Sequence, residues 1–286
     1  MQTRSVPVAT LRDGQHGVVV AVDFGGVRRE EAGFPDLLPY LSIEHTVLAP
    51  QTTVEIDGDW EGMRRHQLES WVDGIRSHGQ RVSAVLGYCA GSAMATRLAT
   101  ELADGAGGPA LVLLDPSWPT RDVLLEAHDV AVERLLDPVR DPAVRESLRA
   151  VVPDQDDPTR LARALVTHYS ETAWRVAAHL RLTETPVRNL IARIERHLSY
   201  LLIAAGEAAD VVARATLPPP GSVLTILSVA TPGEVAWIPG TTVRTELPRP
   251  RLLAEPAVAD RVDDFIRRHD AATDQRTATA LISDGG

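Results

Sequence analysis

The chain has 286 residues, of which 44% are hydrophobic and 24% charged, which is ordinary for a soluble globular protein. Its net charge of -10 at pH 7 argues against nucleic acid as a partner, because phosphate backbones bind basic surfaces. All 29 residues counted as lysine or arginine are arginine, which excludes a lysine-based mechanism. Neither a membrane-spanning apolar run nor a signal-peptide pattern occurs in the sequence, so we expect no membrane association and a cytoplasmic location.

Apolar strand-like segments alternate with helical patterns in the first part of the chain. We predict strands at 17–24, 45–49, 82–86 and 110–114, and helices at 60–77 and 90–102. Each strand is almost entirely apolar, which is typical of strands that are buried on both faces. The pattern therefore predicts an α/β fold with a mostly parallel, doubly wound sheet.

The alternation stops after residue 117 and helical patterns continue to residue 217, interrupted by prolines. Strand character returns at 223–229 and 242–247, and a last helix is predicted at 257–268. We interpret residues 1–117 and 218–286 as one core, and 118–217 as an all-helical lid insertion. Its apolar stripe at 190–202, with Trp174 and Tyr169 nearby, would either pack the lid or line an acyl pocket.

The most informative motif is Gly87-Tyr88-Cys89-Ala90-Gly91, which lies between a predicted strand and a predicted helix. It matches the G-x-S-x-G nucleophile elbow with cysteine in place of serine. Glycines permit the tight turn, and a helix N-terminus lowers a thiol pKa and offers N–H donors to an oxyanion. Cys89 is the only cysteine, so the alternative interpretation is a small buried hydrophobic residue.

With these motifs, the chain resembles the thioesterase family of α/β-hydrolases that works with polyketide and non-ribosomal peptide synthetases. The resemblance covers most of the chain: the first strand and its glycine pair, the elbow, the Leu-Val-Leu-Leu-Asp-Pro strand end, the lid and the closing helix. It implies an α/β-hydrolase fold and a role in natural-product biosynthesis, including that of antibiotics. It also implies an acyl substrate on the phosphopantetheine arm of an acyl carrier protein or peptidyl carrier protein, with no cofactor and no metal.

The resemblance also implies roles for individual residues. The family's triad acid falls on Asp115, although an ordinary Asp-Pro turn is the alternative. One oxyanion-hole amide falls on Ala90, and the other on the loop that contains Gly25 and Gly26. We assign the second amide to Gly26, and the sequence leaves Val27 open as the donor.

The family's triad histidine is missing from this chain. The family places it after the last strand, where this sequence reads Glu-Leu-Pro-Arg-Pro-Arg at 246–251, with Arg249 near the expected position. Three histidines, His168, His179 and His197, fall in the predicted lid and could reach Cys89 only if the lid brings one over it. We expect His269 to lie exposed at the end of the closing helix.

The loss of the histidine affects a cysteine nucleophile less than a serine, because a thiol is already partly ionised at neutral pH. Arg249 and Arg251 would stabilise a thiolate if they point inward, or form a surface rim. Without a base to activate water, we predict transfer of the acyl group in preference to hydrolysis, through a Cys89 acyl-enzyme formed from a carrier-bound or CoA thioester. The alternatives are a cyclase or isomerase, and a non-catalytic protein that binds a carrier or an acyl ligand.

Overall fold

The structure is a computed structural model that describes residues 7–23, 31–52, 60–103, 107–148, 157–213, 217–229 and 239–283. The chain forms two compact units. The first comprises Met1–Gln51, Leu68–Trp118 and Gly206–Gly286, and the second comprises Thr52–Gln67 and Pro119–Ala205. Within the described ranges, no helix combines the length and apolar character needed to cross a membrane.

The first unit contains a seven-stranded sheet. Its strands are β1 (Val8–Arg12), β2 (Val18–Val22), β3 (Thr46–Pro50), β4 (Val82–Tyr88), β5 (Ala110–Leu114), β6 (Val223–Leu227) and β7 (Thr241–Arg244). The spatial order is β1-β3-β2-β4-β5-β6-β7, and every pair is parallel except β1 with β3. The carboxyl ends of β4, β5 and β6 therefore meet at one edge of the sheet.

Eight α-helices are described along the chain. They are α1 (Phe34–Leu37), α2 (Trp60–Arg76), α3 (Gly91–Glu101), α4 (Arg121–Leu136), α5 (Pro142–Leu148), α6 (Pro158–Leu180), α7 (Glu184–Ala213) and α8 (Pro256–Ser283). Short 3-10 turns occur at Leu38–Tyr40, Pro220–Ser222 and Arg249–Ala254.

Apolar packing covers both faces of the sheet in the first unit. Alternate strand residues such as Val19, Leu86 and Val112 are buried in one cluster together with α1 and α8. The residues between them, such as Val20 and Val85, are also fully buried and point to the opposite face, because side chains alternate along a strand. The buried strands and the parallel order confirm the predicted doubly wound sheet, and the strand–turn–helix at the end of β4 completes an α/β-hydrolase fold.

Two elements differ from the sequence expectation. β1, an antiparallel edge strand, was not predicted, because its five residues mix apolar with polar side chains that are only partly buried. α8 continues to Ser283, well beyond the predicted end at residue 268, because no glycine or proline interrupts the sequence there. His269 therefore lies in the middle of a helix and not at its exposed end, and it is hydrogen-bonded to the Gly108 carbonyl at 3.0 Å.

The second unit is helical in its described part. α4 packs against α6, and a buried pair of histidines joins them, with His128 Nε2 2.8 Å from His168 Nδ1. Of the predicted apolar stripe, Ile194 and Leu198 are buried, whereas Leu190 is 40% exposed. That this unit acts as a lid stays a prediction.

Candidate active site

Cys89 lies at the tip of the turn between β4 and α3, in left-handed backbone with φ of 50°. The turn needs a glycine at position 87, because a Cβ there would lie 2.6 Å from the Ala95 Cβ. The Cys89 N–H donates to the Leu114 carbonyl at 3.0 Å, and its own carbonyl accepts from the Ser92 N–H at 3.1 Å. These bonds hold the strained residue in place, as a nucleophile elbow requires.

Asp115 follows β5 and is fully buried, also with a positive φ, of 49°. Its Oδ1 accepts from the Ser228 N–H at 2.9 Å, and its Oδ2 accepts from the Ser228 hydroxyl at 2.8 Å. A third donor, Nε of Arg249, reaches Oδ2 at 2.5 Å. Three hydrogen-bond donors, one of them a guanidinium, therefore converge on this buried carboxylate.

Arg249 begins the 3-10 turn that follows β7, close to the position where the histidine is missing. Its Nε contacts Asp115, and its Nη1 lies 3.9 Å from Sγ of Cys89. Its carbonyl accepts from the Tyr88 hydroxyl at 3.3 Å, which ties the turn to the end of β4. The guanidinium therefore bridges the buried carboxylate and the thiol, and of the two orientations open to sequence reasoning the structure shows the inward one. Arg251, by contrast, is exposed.

The surroundings of Cys89 act on its pKa in opposite directions. Burial raises the pKa of the thiol, while the Arg249 charge and hydrogen bonds from the Ala90 N–H and the Ser117 side chain lower it. Burial is the largest effect, so the pKa lies above the ordinary thiol value. The sequence predicts a lowered pKa, because the sulfur lies at a helix N-terminus. That prediction is wrong: the loss of hydration at the half-buried sulfur raises the pKa by more than the surrounding donors and the Arg249 charge lower it.

The neighbouring groups follow the same balance. Burial and the nearby Glu31 charge raise the pKa of the Tyr88 hydroxyl, so it stays protonated and acts as a hydrogen-bond donor. Burial lowers the pKa of Arg249, but its hydrogen bond to Asp115 and the charge of Cys89 outweigh this and raise it. Arg249 is thus a permanent cation, which can stabilise an anion but cannot act as a base.

The other predicted site residues lie in different places. Ala90 is the N-cap of α3 and is buried, and its N–H donates a hydrogen bond to the Cys89 sulfur. Gly26 lies outside the described residues. The lid histidines belong to the second unit, where His179 is exposed and burial lowers the pKa of His197 to about 4.

Sequence reasoning missed Ser228 and Ser117. Ser228 comes directly after β6, beside the carboxyl end of β5, so its position past a parallel strand was a usable signal. The Ser117 N–H donates to the Cys89 carbonyl at 3.1 Å, a contact made possible by the reversal of the chain at Asp115.

Among the described residues of the first unit, no histidine hydrogen-bonds to the Cys89 side chain. In the described part of the chain, no cluster of three or more His, Cys, Asp or Glu could hold a metal ion.

Comparison with known proteins finds likeness only among solved structures. No protein-family model matches the chain, and no curated protein matches it in sequence. The Vlm2 thioesterase domain bound with a dodecadepsipeptide is 17% identical, with a TM-score of 0.49 over 93% of this chain and 99% of that one. The epoxide hydrolase CorEH is also 17% identical, with a TM-score of 0.47 over 91% of this chain and 94% of that one. At these values the likeness carries no information on activity, and the fold assignment rests on the sheet itself.

Proposed function

We propose that the protein transfers acyl groups between thiols or onto another acceptor, through a thioester on Cys89. The observation that carries the proposal is the Arg249 guanidinium, which contacts both the buried Asp115 carboxylate and the Cys89 thiol. A fixed cation beside a sulfur in an elbow favours the thiolate in the transition state without supplying a base.

The acylation step needs no group beyond the two thiols. The Cys89 sulfur attacks the carbonyl carbon of an acyl thioester, a new carbon–sulfur bond forms, and the bond to the donor sulfur breaks. The proton leaves Cys89 and is taken up by the departing thiolate, so one thiol and one thioester become another thiol and another thioester. During attack, the Ala90 N–H donates to the carbonyl oxygen, and the loop around Gly26 would supply a second donor.

Hydrolysis of the acyl-enzyme would need a base to activate water. Arg249 cannot accept a proton, and the Asp115 oxygens already accept bonds from Ser228 and Arg249. Attack by a second thiol or by an amine is less demanding, because both are stronger nucleophiles than water. The acyl-enzyme therefore waits for an acceptor.

The substrate class follows from the resemblance noted in the sequence. We infer an acyl chain on the phosphopantetheine arm of an acyl or peptidyl carrier protein, or on CoA, in polyketide or non-ribosomal peptide biosynthesis in the cytoplasm.

A second candidate is favoured by the raised pKa of Cys89. A neutral thiol beside a fixed cation can donate a proton to a carbanion or enolate without becoming acylated. In that case the protein would be a cyclase or isomerase. A non-catalytic carrier-binding or ligand-binding protein would show neither reaction.

Intact-mass spectrometry after incubation with acyl-CoA and acyl-pantetheine thioesters tests the proposal. We expect the mass of one acyl group on the wild type, none on Cys89→Ala, and loss of the adduct when a thiol or amine acceptor is added. A wild-type protein that never gains the acyl mass contradicts the proposal. Cys89→Ser is the matched control, because it keeps the elbow and exchanges only the sulfur for oxygen. Without a nearby base to take up its proton, the hydroxyl should not become acylated.

A further inference from the structure

A cavity of about 900 Å³ lies in the first unit, near the amino ends of strands β5, β6 and β7. Its walls include Gly108, Ser222 and Thr241, which lie at or just before the amino ends of β5, β6 and β7. Cys89 and Asp115 instead follow the carboxyl ends of β4 and β5. The cavity is therefore separate from the candidate active site.

One face of α8 forms the long wall of this cavity. Arg261, Arg268 and Arg276 are spaced by seven and eight residues, which places them on one side of the helix. They span about 22 Å at 1.5 Å per residue. Three cationic groups are thus aligned along a single cavity in a chain whose net charge is -10.

These arginines differ in their partners from three other arginines of the first unit. Arg81 and Arg97 form ion pairs with carboxylates, and Arg249 does the same in the active site. Arg268 donates only to the Asp264 backbone carbonyl, and Arg276 only to the Thr273 hydroxyl. Within the described residues, none of the three guanidinium groups forms an ion pair with a carboxylate.

The floor of the cavity is apolar. Phe265 and Leu224 are buried beneath it, and Val243 lines it from β7. His269 donates from Nε2 to the Gly108 carbonyl, which leaves its Nδ1 as a further polar contact. Among the described residues on the wall, Asp264 is the one with an acidic side chain.

We propose that this cavity binds a small amphiphilic anion, with a phosphate or carboxylate group at Arg261 and Arg268 and an apolar body on the floor. The volume of the cavity is in the range of small-molecule sites. Its concave shape fits a small molecule better than it fits the flat surface of a partner protein. Unpaired guanidinium groups favour oxyanions, because their planar N–H groups bind two oxygens at once.

Titration calorimetry of the full chain with octyl phosphate tests this proposal, with inorganic phosphate and octanol as partial ligands. We expect octyl phosphate to bind more tightly than either partial ligand. The double variant Arg261→Gln/Arg268→Gln should weaken octyl phosphate binding about tenfold, as expected for the loss of two exposed charges. Asp264→Asn should strengthen it about threefold by removing the acidic group on the wall. No binding, or equal affinity for octanol, would overturn the proposal.

Two controls separate this site from other effects. Arg140→Gln removes one arginine charge from an exposed position in the second unit and should leave the affinity unchanged. A tenfold loss in this variant as well would show a general charge effect and refute the site. Cys89→Ala should keep full affinity for octyl phosphate, so the result does not depend on the proposed acyl transfer.

Discussion

Arg249, at the carboxyl edge of the sheet, and the three arginines that line the cavity differ in their partners. At the carboxyl edge, Arg249 is committed to the buried Asp115 and lies against a thiol. Arg261, Arg268 and Arg276, which line the cavity at the amino edge, form no ion pair with a carboxylate in the described part of the chain. A paired arginine contributes to stability and tunes its neighbours, whereas an unpaired one can bind a ligand from solution. The difference predicts that substitutions at the two edges will have separable effects.

The largest effect is expected for Arg249→Leu. Asp115 would remain buried without its cation, and loss of one partner of a buried pair costs about 3 kcal/mol of unfolding free energy. Urea denaturation measures this change. Arg251→Leu is the control in the same turn, because its side chain is exposed, and it should change stability by less than about 0.5 kcal/mol. Equal effects of the two variants would refute the structural role of the pair.

Arg249→His should change the fate of the acyl-enzyme. An imidazole held by Asp115 can accept a proton from water, and such a base accelerates a reaction by at least about 100-fold. We therefore expect the acyl adduct on Cys89 to decay about 100 times faster, as followed by intact-mass spectrometry without an added acceptor. An unchanged lifetime would mean that the missing base does not limit hydrolysis.

The pH dependence of Cys89 alkylation tests the balance between burial and the Arg249 charge. Since the folded thiol pKa is raised, the rate with iodoacetamide should increase about tenfold per pH unit from pH 7 upward. The rate should level off only above the ordinary pKa of a cysteine. The raised thiol pKa also affects the free energy of unfolding. The contribution of the protonated Cys89 thiol is fully present below the thiol pKa of the unfolded chain, and it is lost as the pH rises through the thiol pKa of the folded protein. A plateau near neutral pH would contradict the dominance of burial.

Ser228→Ala removes the hydroxyl that donates to Asp115 and leaves the backbone N–H in place. A buried carboxylate that loses one of its donors costs about 1–3 kcal/mol, which urea denaturation can measure. Ser77→Ala is the matched control, because Ser77 makes a hydrogen bond only within an exposed turn. Ser77→Ala should leave the free energy of unfolding almost unchanged. A similar loss of unfolding free energy in both variants would contradict the proposed support of Asp115 by the Ser228 hydroxyl.

The smallest effect on stability is expected at the amino edge. Arg261→Gln/Arg268→Gln breaks no ion pair of the described residues, so the unfolding free energy should change by about 0.5 kcal/mol or less. Thermal unfolding of this variant beside Arg249→Leu makes the comparison direct. A large loss in the double variant would show that these arginines support the fold.

The local parts of this fold could be predicted from the sequence. Short apolar runs and the spacing of glycines predict the elbow at Cys89 and the end of β5 at Asp115. Both features depend only on residues that are close together in the chain. The direction of Arg249 could not be predicted, because it depends on a carboxylate more than 130 residues earlier in the chain. The cavity on α8 was missed for a related reason, since it needs the helix to continue past residue 268 and to pass the ends of three strands.

The positive φ of Cys89 has a consequence for choosing an inactive reference protein. A non-glycine residue in this backbone region is strained by about 1–3 kcal/mol, which glycine largely avoids. Cys89→Gly should thus melt at a higher temperature than the wild type while it loses the sulfur. The stabilised variant has no sulfur to be acylated, so it would hold a bound donor thioester intact for structure determination.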